Sequence, residues 1–247
     1  MTNGSSQGLF VIVAVVIFGI FVAISYILFR DNLGPSMSAI FTDSISTATN
    51  YEQIINKGEE GDYHYGFYPL KGDNEGMYVE YFAHKTEDKA YLFAFYERKE
   101  NGELVKYTHG EKLKGHLELP DTIEGKKVVG LSVNKGTQTG NWTLSKAKIT
   151  SVKLPRYLET IPEGLFNEAT NLKSIVGGIP ESVTSIGTRA FTNTKLEGEL
   201  TIPANVESIG TEAFRGVNLT KVIFKNINTI IQPDSFKETT IIEGLLS

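Results

Sequence analysis

The sequence predicts an N-terminal transmembrane helix with an amphipathic stem, a small β-meander, and a C-terminal α/β, mostly β, repeat solenoid. Three observations carry this expectation. Residues 9–29 run for 21 positions without a charged side chain. Between residues 62 and 114 aromatic side chains recur at the strand period of two. The stretch IPESVTSIGTRAF at 179–191 returns as IPANVESIGTEAF at 202–214, both reading I-P-x-x-V-x-S-I-G-T-x-A-F, 23 residues apart. Repetition at a fixed period is the signature of a stacked array.

After a short tail, residues 1–8, comes LFVIVAVVIFGIFVAISYILF at 9–29. A helix of this length spans roughly 30 Å of hydrocarbon, and it satisfies its own backbone hydrogen bonds as lipid demands. A cleaved secretory signal would carry a basic n-region, a shorter core and a small-x-small cleavage site. The tail MTNGSSQG has no Lys or Arg and RDNLGP follows the span, so a retained single-pass anchor is expected. Residues 33–57 continue with Leu33, Met37, Ile40, Phe41, Ile45, Ala48, Tyr51, Ile54 and Ile55 at steps of mostly three and four. That spacing predicts an amphipathic stem helix ended by NKGEEG.

The module at 62–114 follows. Tyr78, Glu80 and Phe82 alternate against Val79, Tyr81 and Ala83; Tyr91, Phe93 and Phe95 alternate against Leu92, Ala94 and Tyr96. HKTEDKA and RKENGEL supply turns, the second with an Asn101-Gly102 hairpin signal. The expectation is a small antiparallel meander whose aromatics serve cross-strand packing, with a carbohydrate or peptide platform as the alternative. Glu80 and Glu97 read as residues of a solvated sheet face, because glycoside hydrolysis needs two carboxyls at a defined separation across a cleft.

Composition excludes several function classes. The chain has no Cys, hence no disulfide, thiolate zinc site or cysteine nucleophile. Its formal charge of −5, carried entirely from Arg30 onward, gives no basic surface for nucleic acid. His64, His84, His109 and His116 show no metal-ligand spacing, and no P-loop, dinucleotide fingerprint or nucleophile elbow is present.

Residues 115–247 hold the repeats. Besides the two copies quoted, LELPDTIEGKKVVGLS begins at Leu117, VKLPRYLETIPEGLF at Val152, and VIFKNINTIIQPDSF, which lacks the early proline, at Val222. Phe166, Phe191, Phe214 and Phe236 are spaced by 25, 23 and 22 residues. Each unit reads as a short strand ended by a proline, which has no N–H to donate. A second extended piece points Val and Ile inward. Gly187 or Gly210 then bends the chain, at positive φ if the turn is tight, and a helical or 3-10 turn delivers the phenylalanine to the core. Ile161, Phe166, Ile186, Phe191, Ile209, Phe214 and Phe236 are the expected repeat core. VNKGTQTGNWTLSKAKI replaces the usual turn with a loop or extra strand, where Trp142 would cover the open end.

These motifs resemble the BspA-like, or treponemal-type, leucine-rich-repeat family, whose units approach L-x-I-P-x-x-V-x-x-I-G-x-x-A-F. The N-terminus also resembles type IV pilin-like proteins, with a leader ending in Gly8 before an apolar helix. That leader has no basic residue, and Val13 stands where the pilins have glutamate. The leucine-rich-repeat resemblance implies a membrane-anchored surface protein, its large C-terminal domain outside, that presents a solenoid for protein binding or adhesion. The pilin-like resemblance implies an assembly subunit, and a carbohydrate-active enzyme is the remaining alternative. The repeat family has no catalytic consensus, so no catalytic, cofactor or metal residue is expected. Glu181, Glu199, Thr201, Asn205, Glu207 and Trp142 are the candidate binding surface.

Overall fold

The computed structural model describes residues 55–107, 109–131, 144–238 and 240–244, except the side chains of 55–60. These residues belong to one compact unit, 53–247. The meander is built from β1 (Ile55–Glu60), β2 (Tyr63–Pro69), β3 (Met77–His84), β4 (Lys89–Arg98) and β5 (Leu104–Tyr107), each antiparallel to the one before. Its tight connections follow the local chemistry. At the β3–β4 turn His84 Nδ1 accepts the N–H groups of Thr86 and Glu87. At the β4–β5 turn Gly102 sits at φ +85° and donates to the Lys99 carbonyl.

Two expectations are corrected. Residues 55–57, assigned to the end of the stem helix, instead open β1, where Ile55 pairs with Phe67 of β2 and the register shifts before Gly58. The remainder of that helix, 33–54, lies outside the described residues. Among the described residues no helix is long and apolar enough to cross a membrane. Helical structure there amounts to the three-residue 3-10 turn Gly72–Asn74, because the apolar side chains sit on short strands and face the protein's own core. The span at 9–29 and the Gly8-Leu9 junction also lie outside the described residues. The described residues thus form a mostly-β architecture and supply no transmembrane helix, in place of the membrane-spanning, membrane-partnered, single-pass arrangement expected.

The repeats follow as β6 (Lys114–Glu118), β7 (Thr122–Ile123), β8 (Lys126–Leu131), β9 (Lys148–Lys153), β10 (Thr160–Ile161), β11 (Ser174–Ile175), β12 (Ser185–Ile186), β13 (Glu197–Ile202), β14 (Ser208–Ile209), β15 (Asn218–Phe224), β16 (Ile230–Ile231) and β17 (Ile241–Glu243). One parallel ladder is β10-β12-β14-β16, built of two-residue strands. Two further parallel ladders are β6-β9-β11 and β13-β15-β17.

The meander caps the first ladder. β8 pairs parallel with β4, and its Val129 carbonyl accepts the Glu159 N–H beside β10 at 2.9 Å. The ladder thus runs on into an antiparallel sheet instead of ending in an open edge. Asn74 caps β6: its side-chain amide donates to the carbonyls of Lys114 and His116 and accepts the Lys114 N–H, while Asp73 accepts the His116 N–H. Asn74 is 2% exposed, so these bonds replace solvent that the site excludes.

Phenylalanine forms the spine. Phe166, Phe191, Phe214 and Phe236 stack with centroids 5.2, 5.1 and 5.1 Å apart and planes within 15°. Stacking adds about 0.5–1.5 kcal/mol per pair beyond area burial. Ile161, Phe166, Ile186, Phe191, Ile209 and Phe214 are buried, and Phe236, at the last turn, is half-buried. Leu144 stands one turn before Phe166: Lys146 donates to Asn167 as Glu168 donates to Thr192. The sequence LSKA at 144–147 is therefore an ordinary repeat turn with leucine in place of phenylalanine. In the last repeat Asn226 takes the proline's place, its carbonyl accepting the Thr229 N–H as those of Pro180 and Pro203 accept Val183 and Val206.

The glycines of the GT turns act differently from the expectation. Gly187 and Gly210 are not at positive φ. Left-handed residues stand at Gly164, Arg189, Glu212 and Asp234, two before each phenylalanine, and at Glu168, Asn193 and Gly216, two after the first three. Gly187 and Gly210 are required by close approach: a Cβ there would lie 2.4 Å from the backbone nitrogen of Glu163 and of Thr188, respectively.

Candidate functional site: an interrupted ladder

On the face carrying β9, β11, β13 and β15 one step of the backbone ladder is missing. Lys195 and Glu197 donate to the carbonyls of Leu172 and Lys173 at 2.9 and 3.3 Å. The next bond in that series would join the Glu199 N–H to the Ile175 carbonyl. Ile175 accepts the Gly178 N–H instead, at 3.0 Å. Gly177 and Gly178 make this turn, at φ +80° and +78°, a conformation that costs a residue with a Cβ about 1–2 kcal/mol. Leu172 and Pro180 stand eight positions apart, where Leu196 and Pro203 stand seven apart. The extra residue is what lets the chain leave the sheet.

The consequence falls on β13. In a parallel strand successive residues direct their N–H and C=O to opposite neighbours. The Ile202 carbonyl faces β15, where it accepts the Lys225 N–H, and Leu200 faces the same way. Glu199 and Thr201 face the other way, toward the gap. Among the described residues no main-chain bond links 174–180 with 198–203.

The gap opens into a groove of about 430 Å³ lined by Lys173, Ser174, Gly177, Gly178, Glu181, Glu197, Glu199, Thr201 and Lys225, together with the apolar Ile175, Ile179, Leu196, Leu200, Pro203 and Leu219. Lys225 pairs with Glu181 at 3.0 Å. Glu197 and Glu199 make no ion pair among the described residues. Lys221 is held above the ordinary lysine range by its hydrogen bond to Glu243, with Glu199 adding a smaller push.

The structure brings Glu181, Glu199 and Thr201 together here. Asn205 stands one repeat on and donates to the Glu181 carbonyl at 2.6 Å, tying two turns together. Glu207 lies on the closed ladder, its N–H bonded to Thr184 and its carbonyl to Ile230, away from the groove. Trp142 lies outside the described residues. Sequence reasoning missed Lys173, Glu197, Lys225 and the Gly177-Gly178 pair; the eight-position spacing was the available signal.

Two other regions are occupied by their own contacts. On the meander's outer face Phe82 and Phe93 are buried among Tyr63, Tyr65, Tyr91 and Tyr96. Glu80 accepts the Tyr96 hydroxyl at 3.0 Å on that face, whereas Glu97, bonded to Tyr107 and Lys99, aligns with the inward-facing Phe95 and Met77. The sheet separates the two carboxylates. On the turn face Glu212 accepts Arg189 Nε at 2.7 Å and a second bond from Arg215. These bonds, Arg189 first, hold its carboxyl below the usual range. Among the described residues no group of His, Asp or Glu could hold a metal ion.

A solenoid of short parallel rungs with a stacked aromatic spine defines a repeat protein of the leucine-rich class. Residues 137–245 match the BspA type Leucine rich repeat region, in six copies, and this part of the chain is a BspA-type leucine-rich-repeat domain. Repeats of this type are non-catalytic protein-interaction modules. No curated protein matches the sequence. Among solved structures, a leucine-rich repeat protein from Bacteroides ovatus is similar at 21% identity, covering 68% of this chain and 39% of that one, with a TM-score of 0.47. The pneumococcal vaccine antigen PcpA is similar at 16% identity, covering 70% and 51%, with a TM-score of 0.36. A leucine rich cell surface protein from Faecalibacterium prausnitzii is similar at 17% identity, covering 69% and 55%, with a TM-score of 0.31. The chain matches about two-fifths to just over half the length of these proteins.

Proposed function

We propose that this protein binds another protein, in recognition or adhesion, through the solenoid face that carries the interrupted ladder. The observation that supports this reading is the polar groove at the break, where Glu181, Glu199 and Thr201 meet exposed main chain. Regular ladders present a rigid scaffold, and a break in one supplies the irregular surface that selects a partner. The test is photo-crosslinking in the cells that produce the protein, with a benzophenone amino acid at position 199 and, as a control, at position 189 on the turn face. A discrete protein adduct from position 199 and none from 189 is the expected result. Adducts from 189 alone would move the site to the turn face, and none from either would contradict protein binding.

A further inference from the structure

We propose that the groove takes an extended segment of the partner as an added β-strand, paired to the free edge of β13, with basic side chains favoured. This rests on the protein-binding reading above and specifies its mode. Three observations carry it. The Glu199 and Thr201 N–H and C=O groups face the gap with no main-chain partner among the described residues, which offers an incoming strand a four-group ladder. The groove of about 430 Å³ lies between them and the Gly177-Gly178 turn, where a Cβ added at either glycine would meet nothing within 4 Å. The charge is asymmetric: three carboxylates, Glu181, Glu197 and Glu199, line the groove against two lysines, Lys173 and Lys225, and Lys225 is paired with Glu181.

Strand addition draws affinity from main-chain hydrogen bonds and selectivity from alternate side chains. Here the residues of the incoming strand that bond β13 are every second one, and their neighbours bond nothing on that side. The acidic rim favours lysine or arginine, in a salt-dependent way.

The probe is a fluorescein-labelled seven-residue peptide alternating lysine with valine and threonine, titrated against the full chain by anisotropy. Two further peptides carry N-methyl groups on odd or on even residues, removing one set of N–H donors each. One N-methylated form should bind about tenfold weaker than the parent and the other nearly as well. Replacing lysine by glutamate in the peptide should abolish binding, and Glu199→Gln should weaken the parent about threefold. Deleting Gly177 restores the seven-position spacing of the following rung and should close the gap, abolishing binding while the melting transition persists. Equal binding by both N-methylated peptides, full binding to the deletion variant, or no binding of the parent peptide would overturn strand addition. A partner adduct at position 199 would still stand in each of those cases, so the two readings fail separately.

Discussion

Along the ladder β10-β12-β14-β16 every step is closed. Thr184, Glu207 and Ile230 donate in turn to Glu159, Thr184 and Glu207, each at 2.8 Å, and Gly187 and Gly210 let successive turns approach until no Cβ would fit. Along the neighbouring ladder one step is open, and glycine is again responsible, now through positive φ at Gly177 and Gly178. The same residue type closes one face by its missing side chain and opens the other by its backbone freedom. The opening is tolerated because repeats of a solenoid are held at several places at once. At the repeat containing the break, the phenylalanine stack and the closed ladder both continue without interruption.

That comparison breaks most severely where both ladders share support. Phe191→Ala removes a ring stacked on both neighbours and should cost about 3–5 kcal/mol in chemical unfolding; a loss below about 1 kcal/mol would mean the stack is not the common support. Gly210→Ala forces a Cβ against the Thr188 backbone and should cost about 2–3 kcal/mol. Gly178→Ala, with nothing within 4 Å, should cost only about 1 kcal/mol of left-handed strain. Equal losses at the two glycines would erase the distinction between closed and open steps. Asn74→Ala uncaps β6 and should cost about 2 kcal/mol, since the Lys114 N–H and the Lys114 and His116 carbonyls lose the buried amide that bonds them. The smallest effect is electrostatic. Glu212 is held below the usual carboxyl range by Arg189 and Arg215, so its contribution is present above the ordinary glutamate pKa and fades as pH falls through its own lower value. Thermal melts of Glu212→Gln should therefore lose less stability between pH 6 and pH 3 than the parent; an unchanged difference would remove Glu212 from the account.

The sequence made the phenylalanine spine legible because Phe166, Phe191, Phe214 and Phe236 recur at one period and must share one environment. Gly187 and Gly210 were legible as turn glycines, but not their reason, because close approach to Glu163 and Thr188 depends on how turns stack. The left-handed positions were hidden for a related reason: Arg189 and Glu212 are not residues that announce positive φ, and inter-turn bonding imposes it. Leu144 was hidden by its divergent neighbours, and the Asn74 cap by a separation of 40 residues from Lys114. Glu181, Glu199 and Thr201 were legible as exposed rung residues. Their meeting at a gap was not, since it depends on which N–H the Ile175 carbonyl accepts.

The open step is tested most directly by amide hydrogen exchange of the full chain, resolved residue by residue. The account predicts slow exchange at Leu200 and Ile202, which face β15, and at Thr184, Glu207 and Ile230 on the closed ladder, with fast exchange at Glu199 and Thr201. Protection of Glu199 and Thr201 equal to that of Leu200 would show a closed ladder and contradict the interrupted site.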